Sequence, residues 1–228
     1  MMSSVQSTRR AVRPEIQALR ALAVGVVVLH HFWPVLAPAG YIGVDVFFVV
    51  SGYLITGMLV RELETTGRLS LSRFYGRRLR RILPSAVIVL AVTSVVTALA
   101  VPADEAARWF RQILASTLFV QNWLLAAETA TDADAGLPST PVEHYWSLSV
   151  EEQFYLVWPI VLLLATGLAA RASRFGRTVA AVVVGLVTAT SFVVCVVVTG
   201  LDNNAAYFST VTRAWEFGVG PCSRSHPS

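Results

Sequence analysis

Apolar and polar positions along the chain separate into long blocks instead of alternating over short distances. Each apolar block holds about 20 residues, the length that an α-helix needs to cross the hydrocarbon core of a bilayer. The pattern therefore predicts an all-α polytopic bundle of transmembrane helices. The predicted spans are residues 16–36, 41–60, 82–101, 146–170 and 179–200, and a truncated sixth opens at residues 212–220.

The polar segments between these spans differ in length and composition. The longest, residues 102–142, contains a predicted amphipathic helix around residues 105–125 and a small, acidic loop with Pro and Gly at residues 128–141. Residues 221–228 form a polar tail that we do not expect to continue the sixth span. We therefore predict a cytoplasmic N-terminal segment (1–15), a transmembrane domain (16–220) and an off-pattern tail (221–228).

The arginines indicate the orientation of the spans. They gather before the first span, between the second and third, and between the fourth and fifth, whereas residues 102–145 carry more acidic than basic side chains. Cytoplasmic loops of membrane proteins are enriched in basic residues. The distribution predicts a cytoplasmic N-terminus and an external 102–145 segment.

The composition agrees with a membrane protein and argues against nucleic-acid binding. Charged residues make up 14% of the 228 residues, against roughly 25% in a soluble domain. The net charge of +4 comes from arginines beside apolar spans, which fits membrane orientation better than a nucleic-acid surface. Cys195 and Cys222 lack metal-ligand spacing, and we expect no bound metal.

Two ionisable side chains share one face of the first span. Arg20 and His31 are eleven residues apart, which at 100° per residue places them within about 20° of each other, whereas His30 lies about 80° from Arg20 on the other side. Histidine suits general-base catalysis near neutral pH. The alternative is that His31 belongs to the outer aromatic belt beside Phe32 and Trp33.

A run of arginines precedes the third span. Arg78 and Arg81 are i, i+3 neighbours on one helix face. Two guanidinium groups at this spacing suit the phosphates of a nucleotide, coenzyme A or a lipid headgroup. The alternative is an anchor that holds anionic lipid at the cytoplasmic side.

The start of the fourth span, residues 144–155, is dense in polar and aromatic side chains. Ser149 and Glu152 have the spacing of a capping box, in which case the acids would mostly cap a helix. The alternative is that Glu152 is a functional residue.

Five segments, found in order over about residues 13–218, together resemble the membrane acyltransferase-3 family. One such motif would be weak evidence, whereas five in order are specific. They are RPEIQALRALAV at residues 13–24 leading to His31, GYIGVDVFFVVSGYLI at 40–55, the arginine cluster that ends in Pro84, YWSLSVEEQFY at 145–155 and TRAWEF at 212–217.

The resemblance implies a bacterial cytoplasmic-membrane enzyme that moves an acyl group from acyl-coenzyme A to a hydroxyl of an exported carbohydrate or glycolipid. His31 matches the family's essential helix-one histidine, and Arg20 matches its helix-one arginine. Arg78 and Arg81 match the Arg-x-x-Arg pair attributed to coenzyme A. With Glu152 as a further catalytic candidate, these five residues are the predicted site.

The resemblance also sets the expected partners. Acyl-coenzyme A, in particular acetyl-coenzyme A, is expected as a donor substrate, with no permanently bound cofactor, beside a glycan acceptor and membrane lipids. Family domains have more spans than this sequence, which ends as the sixth opens. Two alternatives follow: a non-catalytic truncated remnant, or a protein that transports or scaffolds a lipid-linked glycan.

Overall fold

A computed structural model describes residues 13–130, 139–171 and 176–222 of the chain. All regular secondary structure within these ranges is helical, which confirms the all-α prediction. The helices are α1 (Pro14–Phe32), α2 (Ile42–Thr66), α3 (Leu71–Ala100), α4 (Ala103–Thr117), α5 (Gln121–Ala130), α6 (Tyr145–Arg171), α7 (Gly176–Leu201), α8 (Asn203–Phe208) and α9 (Thr210–Cys222).

Five of these helices, α1, α2, α3, α6 and α7, are long and apolar enough to cross a membrane. They correspond to the five predicted spans. The largest difference is at α3, which begins at Leu71 instead of residue 82 because the arginine-rich segment is itself helical. The helix continues through Pro84, whose ring nitrogen has no hydrogen to donate to the carbonyl of Arg80.

Other predicted boundaries also differ from the helix ends, and α2 continues to Thr66 instead of ending at residue 60. The first span was predicted to reach residue 36, but α1 ends at Phe32 because Trp33 precedes Pro34, and a residue before proline disfavours helical backbone. The tail was predicted to leave the helix at Pro221, yet α9 continues to Cys222. The rest of the tail (223–228), the first twelve residues and residues 131–138, which fall in the predicted acidic loop, lie outside the described residues.

The chain divides into two compact units, residues 1–50 and 51–228. In the first unit, glycines allow α1 to approach the chain that follows it. A Cβ atom at Gly43 would lie 2.5 Å from the carbonyl oxygen of Ala23, and one at Gly40 would overlap the side chain of His30. Small residues permit this close helix contact in membrane bundles.

In the second unit, α2, α6 and α9 pack through aromatic side chains. Phe217 on α9 stacks on Phe154 of α6 with the ring centroids 3.9 Å apart. Trp158 is 2% exposed and donates through Nε1 to Thr56 Oγ1 of α2 at 2.7 Å. A Cβ atom at Gly52 would overlap the backbone of Phe217, so only glycine fits at this contact.

Helices α3 and α6 run antiparallel. Near the start of α3, the hydroxyl of Tyr75 donates to the carbonyl oxygen of Leu156 at 2.8 Å. Farther along α3, Ala86 belongs to the same buried apolar cluster as Tyr145, the first residue of α6. Residues later in α3 therefore lie beside residues earlier in α6.

The segment after α3 folds back beside that helix. We predicted one amphipathic helix at 105–125 in an external segment, but the structure breaks it into α4 and α5 at residues 118–120, where Phe119 has a φ of 54°. Ile113 of α4 shares a buried cluster with Leu90 of α3. Leu90 lies ten residues before the end of α3, so α4 reaches roughly 15 Å back along it.

Candidate active site

Polar side chains from three helices of the second unit meet inside otherwise apolar surroundings. Ser51 comes from α2, Arg78 from α3, and Glu151, Glu152 and Tyr155 from α6. We call these five residues the ionic cluster. Ionisable groups within membrane spans are costly, and those that occur usually face the protein interior or a water-filled cavity. The cluster is therefore the leading candidate for a functional site in this unit.

Glu151 connects two of the helices. Its Oε1 accepts a hydrogen bond from the hydroxyl of Ser51 at 2.5 Å and another from the hydroxyl of Tyr155, one turn later in α6. Hydrogen bonds to a carboxylate are short and strong compared with neutral ones. The two hydroxyls thus hold the Glu151 carboxylate in one orientation.

Arg78 is held by two contacts with α6. Its Nη2 lies 3.4 Å from Oε1 of Glu152, and the two side chains are only 16% and 19% exposed. Its Cζ lies 3.2 Å from the centroid of the Tyr155 ring, a cation–π arrangement. The ion pair is loose, because close charged pairs are roughly 2.7–2.9 Å apart.

The donor capacity of Arg78 is not exhausted by these contacts. Within the described part of the chain its Nε is buried and has no hydrogen-bond partner. A buried donor without a partner is unfavourable by about 1–3 kcal/mol. A ligand that supplied an oxygen at this position would relieve that cost.

The capping-box interpretation of Ser149 and Glu152 is wrong. Helix α6 already begins at Tyr145, so both residues lie inside it, past the point where free backbone N–H groups need caps. Ser149 instead donates to the carbonyl oxygen of Tyr145 at 2.9 Å, and Glu152 pairs with Arg78. The position of the helix start decides between the two interpretations.

A groove of about 360 Å³ runs beside the ionic cluster between α3 and the start of α6. Arg81 and His144 contribute the ionisable groups, and the walls are mainly apolar. Its lining consists of Arg81, Ile82, Ser85, Ala86 and Val89 on one side and His144, Tyr145 and Leu148 on the other. The predicted Arg78 and Arg81 pair is thus divided: Arg78 faces the cluster, and exposed Arg81 faces the groove.

The other two predicted residues lie in the first unit, on α1. His31 is exposed at the last turn of the helix, and Arg20 is half-buried. His30 differs from its neighbour, because its Nδ1 lies 2.7 Å from the carbonyl oxygen of Ala37 and its ring packs edge-on against Tyr41. His30 is therefore engaged in local structure, while the His31 ring is accessible.

A second polar network was missed by the sequence analysis. Gln112 of α4 donates to Glu128 of α5 at 3.1 Å and accepts from Gln121 at 3.2 Å, while Asn122 accepts from Gln153 of α6 at 3.0 Å. Gln112, Gln121 and Asn122 are at most 1% exposed. The available signal was the presence of amide side chains inside the amphipathic 105–125 pattern. Because these hydrogen bonds connect α4 to α5 and α5 to α6, we assign the amides to joining α4 and α5 to α6.

The last motif forms an internal ion pair. Arg213 Nη1 lies 2.7 Å from Oε1 of Glu216, one turn later in α9, and the Glu216 side chain is 1% exposed. The Arg213 guanidinium also lies over the ring of Tyr207, 4.7 Å from its centroid. This pair fixes the start of α9 against α8.

Comparison with known proteins gives one family and several relatives. A family model described as an acyltransferase domain matches residues 13–220. The chain is 36% identical over 206 residues to the peptidoglycan O-acetyltransferase OatA of Listeria monocytogenes, covering 89% of this chain and 32% of that protein. It is 34% identical over 200 residues to the O-acetyltransferase OatA of Staphylococcus aureus, covering 88% and 32%.

The chain spans about a third of the length of these curated relatives. No solved structure matches it. The similarity extends across the helices that carry His31, the ionic cluster and the groove.

Proposed function

Because the chain belongs to the acyltransferase-3 family, we propose that it is a membrane O-acyltransferase that modifies a hydroxyl of an exported cell-surface glycan. The proposed donor is cytoplasmic acetyl-coenzyme A. The observation that carries this proposal is the ionic cluster, in which Arg78 and Glu152 meet inside membrane helices beside the groove that Arg81 lines. Ionisable groups inside membrane helices are costly and usually mark a functional site.

The five long apolar helices make the chain an integral membrane protein. We place it in a bacterial cytoplasmic membrane, because both named relatives are bacterial. Its N-terminus is proposed to face the cytoplasm, because the arginines gather before α1, between α2 and α3, and between α6 and α7. In this orientation Arg78 and Arg81, near the start of α3, lie on the side from which coenzyme A arrives.

The proposed chemistry is acyl transfer from a thioester. His31 takes the proton of the acceptor hydroxyl as its oxygen attacks the thioester carbonyl. The carbon–sulfur bond then breaks, the acyl group stays on the acceptor as an ester, and the proton passes to the departing coenzyme A thiolate. Arg81 and Arg78 contribute positive charge for the phosphates of the donor, and Arg20 supports the polar stripe of α1 that carries His31.

Sealed membrane vesicles test the donor and its side of access. Vesicles from bacteria that express the chain are loaded with cell-wall glycan in the lumen and supplied with acetyl-labelled coenzyme A outside, and ester-linked label is measured. We expect label to enter glycan when the cytoplasmic face is exposed to the donor, and not in vesicles of the opposite orientation. Vesicles without the chain are the control. Equal labelling with and without the chain would contradict the proposal.

A further inference from the structure

The chain turns back between α4 and α5 at residues 118–120, whose sequence is Leu-Phe-Val. Residues 112–127 on both sides of this turn carry no charge, and the nearest charged side chains, Arg111 and Glu128, pair at 2.7 Å. Helices of 15 and 10 residues are about 22 and 15 Å long, whereas the hydrocarbon core of a bilayer is about 30 Å thick. Neither helix can therefore cross the bilayer, although the turn between them is apolar.

Contacts with neighbouring helices show how deep this turn lies. On α3, Leu90 shares a buried cluster with Ile113 and lies ten residues before the helix end. On α6, Gln153 lies eight residues after the helix start, and its Nε2 donates to the carbonyl oxygen of Phe119 at 2.8 Å. At about 1.5 Å per residue, these positions are roughly 15 and 12 Å from the helix ends that the hairpin of α4 and α5 joins.

A third helix gives the same depth. Asn122 of α5 donates to Oγ1 of Thr210, the first residue of α9, at 3.1 Å. Ser191 of α7 donates to the carbonyl oxygen of Val211 at 2.5 Å and lies ten residues before the end of α7 at Leu201. Because α6 and α7 cross in opposite directions, the end of α7 is on the side where α6 starts. Half of the hydrocarbon core is about 15 Å, so all three helices place the turn near the middle of the bilayer.

The backbone at the turn is hydrogen-bonded within the protein. The N–H groups of residues 118–120 all donate to carbonyl oxygens of α4, at distances of 2.9, 3.1 and 3.2 Å. The carbonyl of Phe119 accepts from Gln153, and that of Val120 accepts from the N–H of Trp123 at 3.1 Å. In the hydrocarbon region backbone polar groups need partners within the protein, whereas water would supply them to an exposed loop. The turn therefore meets the requirement of a membrane interior.

The exposed side chains of the hairpin are large and apolar around the turn. On α4, Phe110, Leu114 and Leu118 follow one another at intervals of four residues, so they lie along one helix face. All three are exposed, Leu118 by 63%, and Trp123 of α5 is exposed by 57%. The adjacent length of α3 has the same character, as Val87 shows. Extended apolar surfaces of this kind mark contacts with protein or with membrane.

We infer that α4 and α5 form a re-entrant hairpin, which enters the bilayer beside the end of α3, turns near its middle at Phe119 and returns to the start of α6. Its exposed face contacts the acyl chains of the lipids in that leaflet. Because Gln153 directly follows Glu152, the turn reaches the level of the ionic cluster. The inference depends on the depths of the contacts and not on acyl transfer. The rival arrangement is a hairpin that lies in water on the membrane surface.

Spin labels at successive depths along α4 test this inference. The full chain, with Cys195 and Cys222 changed to Ser, is reconstituted in phospholipid vesicles. Electron paramagnetic resonance measures collisions of each nitroxide with oxygen, which concentrates among acyl chains, and with a water-soluble nickel chelate. Val87→Cys on α3, three residues before Leu90, provides the reference for a lipid-exposed site at the depth of the turn. The labelled variants of α4 are Ala103→Cys, Phe110→Cys, Leu114→Cys and Leu118→Cys.

We expect the ratio of oxygen to nickel collisions to rise at every step from Ala103 to Leu118, because successive labels lie roughly 6–10 Å deeper. The ratio at Leu118 should be about tenfold higher than at Ala103, since one lies near the bilayer centre and the other at its edge. It should match the ratio at Val87. Circular dichroism and gel filtration check that each variant is folded, and three independent positions along α4 carry the comparison.

Two results overturn the inference. A uniform ratio along α4, with every label reached by the nickel chelate, would place the hairpin in water and exclude re-entry. Labels at Phe110, Leu114 and Leu118 that are shielded from both oxygen and nickel would show that protein, such as a second copy of the chain, covers the face. The assignment to lipid would then be wrong.

Discussion

The guanidinium of Arg78 lies over the ring of Tyr155, with Cζ 3.2 Å from the ring centroid. The hydroxyl of the same tyrosine donates to Glu151, which also accepts from Ser51. One tyrosine therefore fixes both an arginine from α3 and a carboxylate of α6. Arg78 is oriented by the protein interior, unlike the exposed arginines beside it on α3.

The first prediction concerns the pair of Arg78 and Glu152. Arg78→Ala removes the positive partner of a mostly buried carboxylate and should lower the free energy of unfolding by ~3 kcal/mol, as for other broken buried ion pairs. Glu152→Gln should offset part of this loss, because the double variant leaves no lone charge. The coupling energy from a double-mutant cycle, measured by denaturant unfolding in detergent, should be about 1–3 kcal/mol.

Arg80 gives the control for this cycle. It is exposed on the same helix, and Arg80→Ala should change stability by less than about 0.5 kcal/mol. Strict additivity of Arg78→Ala and Glu152→Gln would mean that the ion pair has no energetic role.

The second prediction separates the two adjacent histidines. His31→Ala should abolish acyl transfer, because the proposed base is lost. His30→Ala should retain most transfer but lower stability by about 1 kcal/mol through loss of the hydrogen bond to Ala37. Initial rates of acetyl transfer and thermal midpoints of both variants check this. Equal tolerance of both substitutions would end the catalytic assignment of His31.

The third prediction concerns the arginines that precede the third predicted span. Arg81→Ala and Arg78→Ala should each raise the Kd for acetyl-coenzyme A about tenfold, since a charged hydrogen bond contributes roughly 1.5–3 kcal/mol. Arg77→Ala should be milder, because Arg77 faces Glu62 at 3.7 Å. Insertion should be normal in all variants, because orientation depends on the total number of basic residues. Equal, small effects at every arginine would indicate a lipid anchor.

The fourth prediction tests the packing of α2 on α9. A methyl group at Gly52 would overlap the Phe217 backbone, so Gly52→Ala should destabilise the chain by about 1–3 kcal/mol through overpacking. Gly185 of α7 has no atom within 4 Å of its added Cβ, and Gly185→Ala should be neutral or slightly stabilising. Thermal unfolding in detergent compares the two. A wild-type midpoint for Gly52→Ala would show that α9 does not pack there.

The fifth prediction is the orientation in the membrane. In a background with Cys195 and Cys222 changed to Ser, Ser139→Cys should react with an impermeant thiol reagent on intact cells. Arg68→Cys, in the exposed turn between α2 and α3, should react only after the membrane is opened. The reverse pattern would invert the proposed topology.

The predicted fold followed from local rules and was largely correct. Mostly apolar runs of about 20 residues demand a helix in lipid, because every backbone hydrogen bond must be made within the segment. That requirement also carries α3 through Pro84. The helix ends were less predictable. The start of α3 is polar because it is rich in arginine, and the last turn of α9 contains a proline.

The site was only partly predictable, as Glu152 and the arginine pair illustrate. The spacing of Ser149 and Glu152 fitted a cap equally well, and only the start of α6 at Tyr145 excluded it. Arg78 and Arg81 share a helix face in sequence, yet the structure directs one to Glu152 and the other to the groove. The helical periodicity of a sequence predicts which side chains share one face of a helix. It does not predict which other helix packs against that face.

The sequence by itself determined the helical class, the five spans and the family, because these depend on runs of apolar residues and on motifs read in order. The tertiary structure decided that Ser51, Arg78 and Tyr155 meet around Glu151 and Glu152, and that α4 folds back along α3. These residues are separated by up to about a hundred positions. Their proximity results from close packing at Gly52 and from the antiparallel register of α3 and α6, which no local pattern encodes.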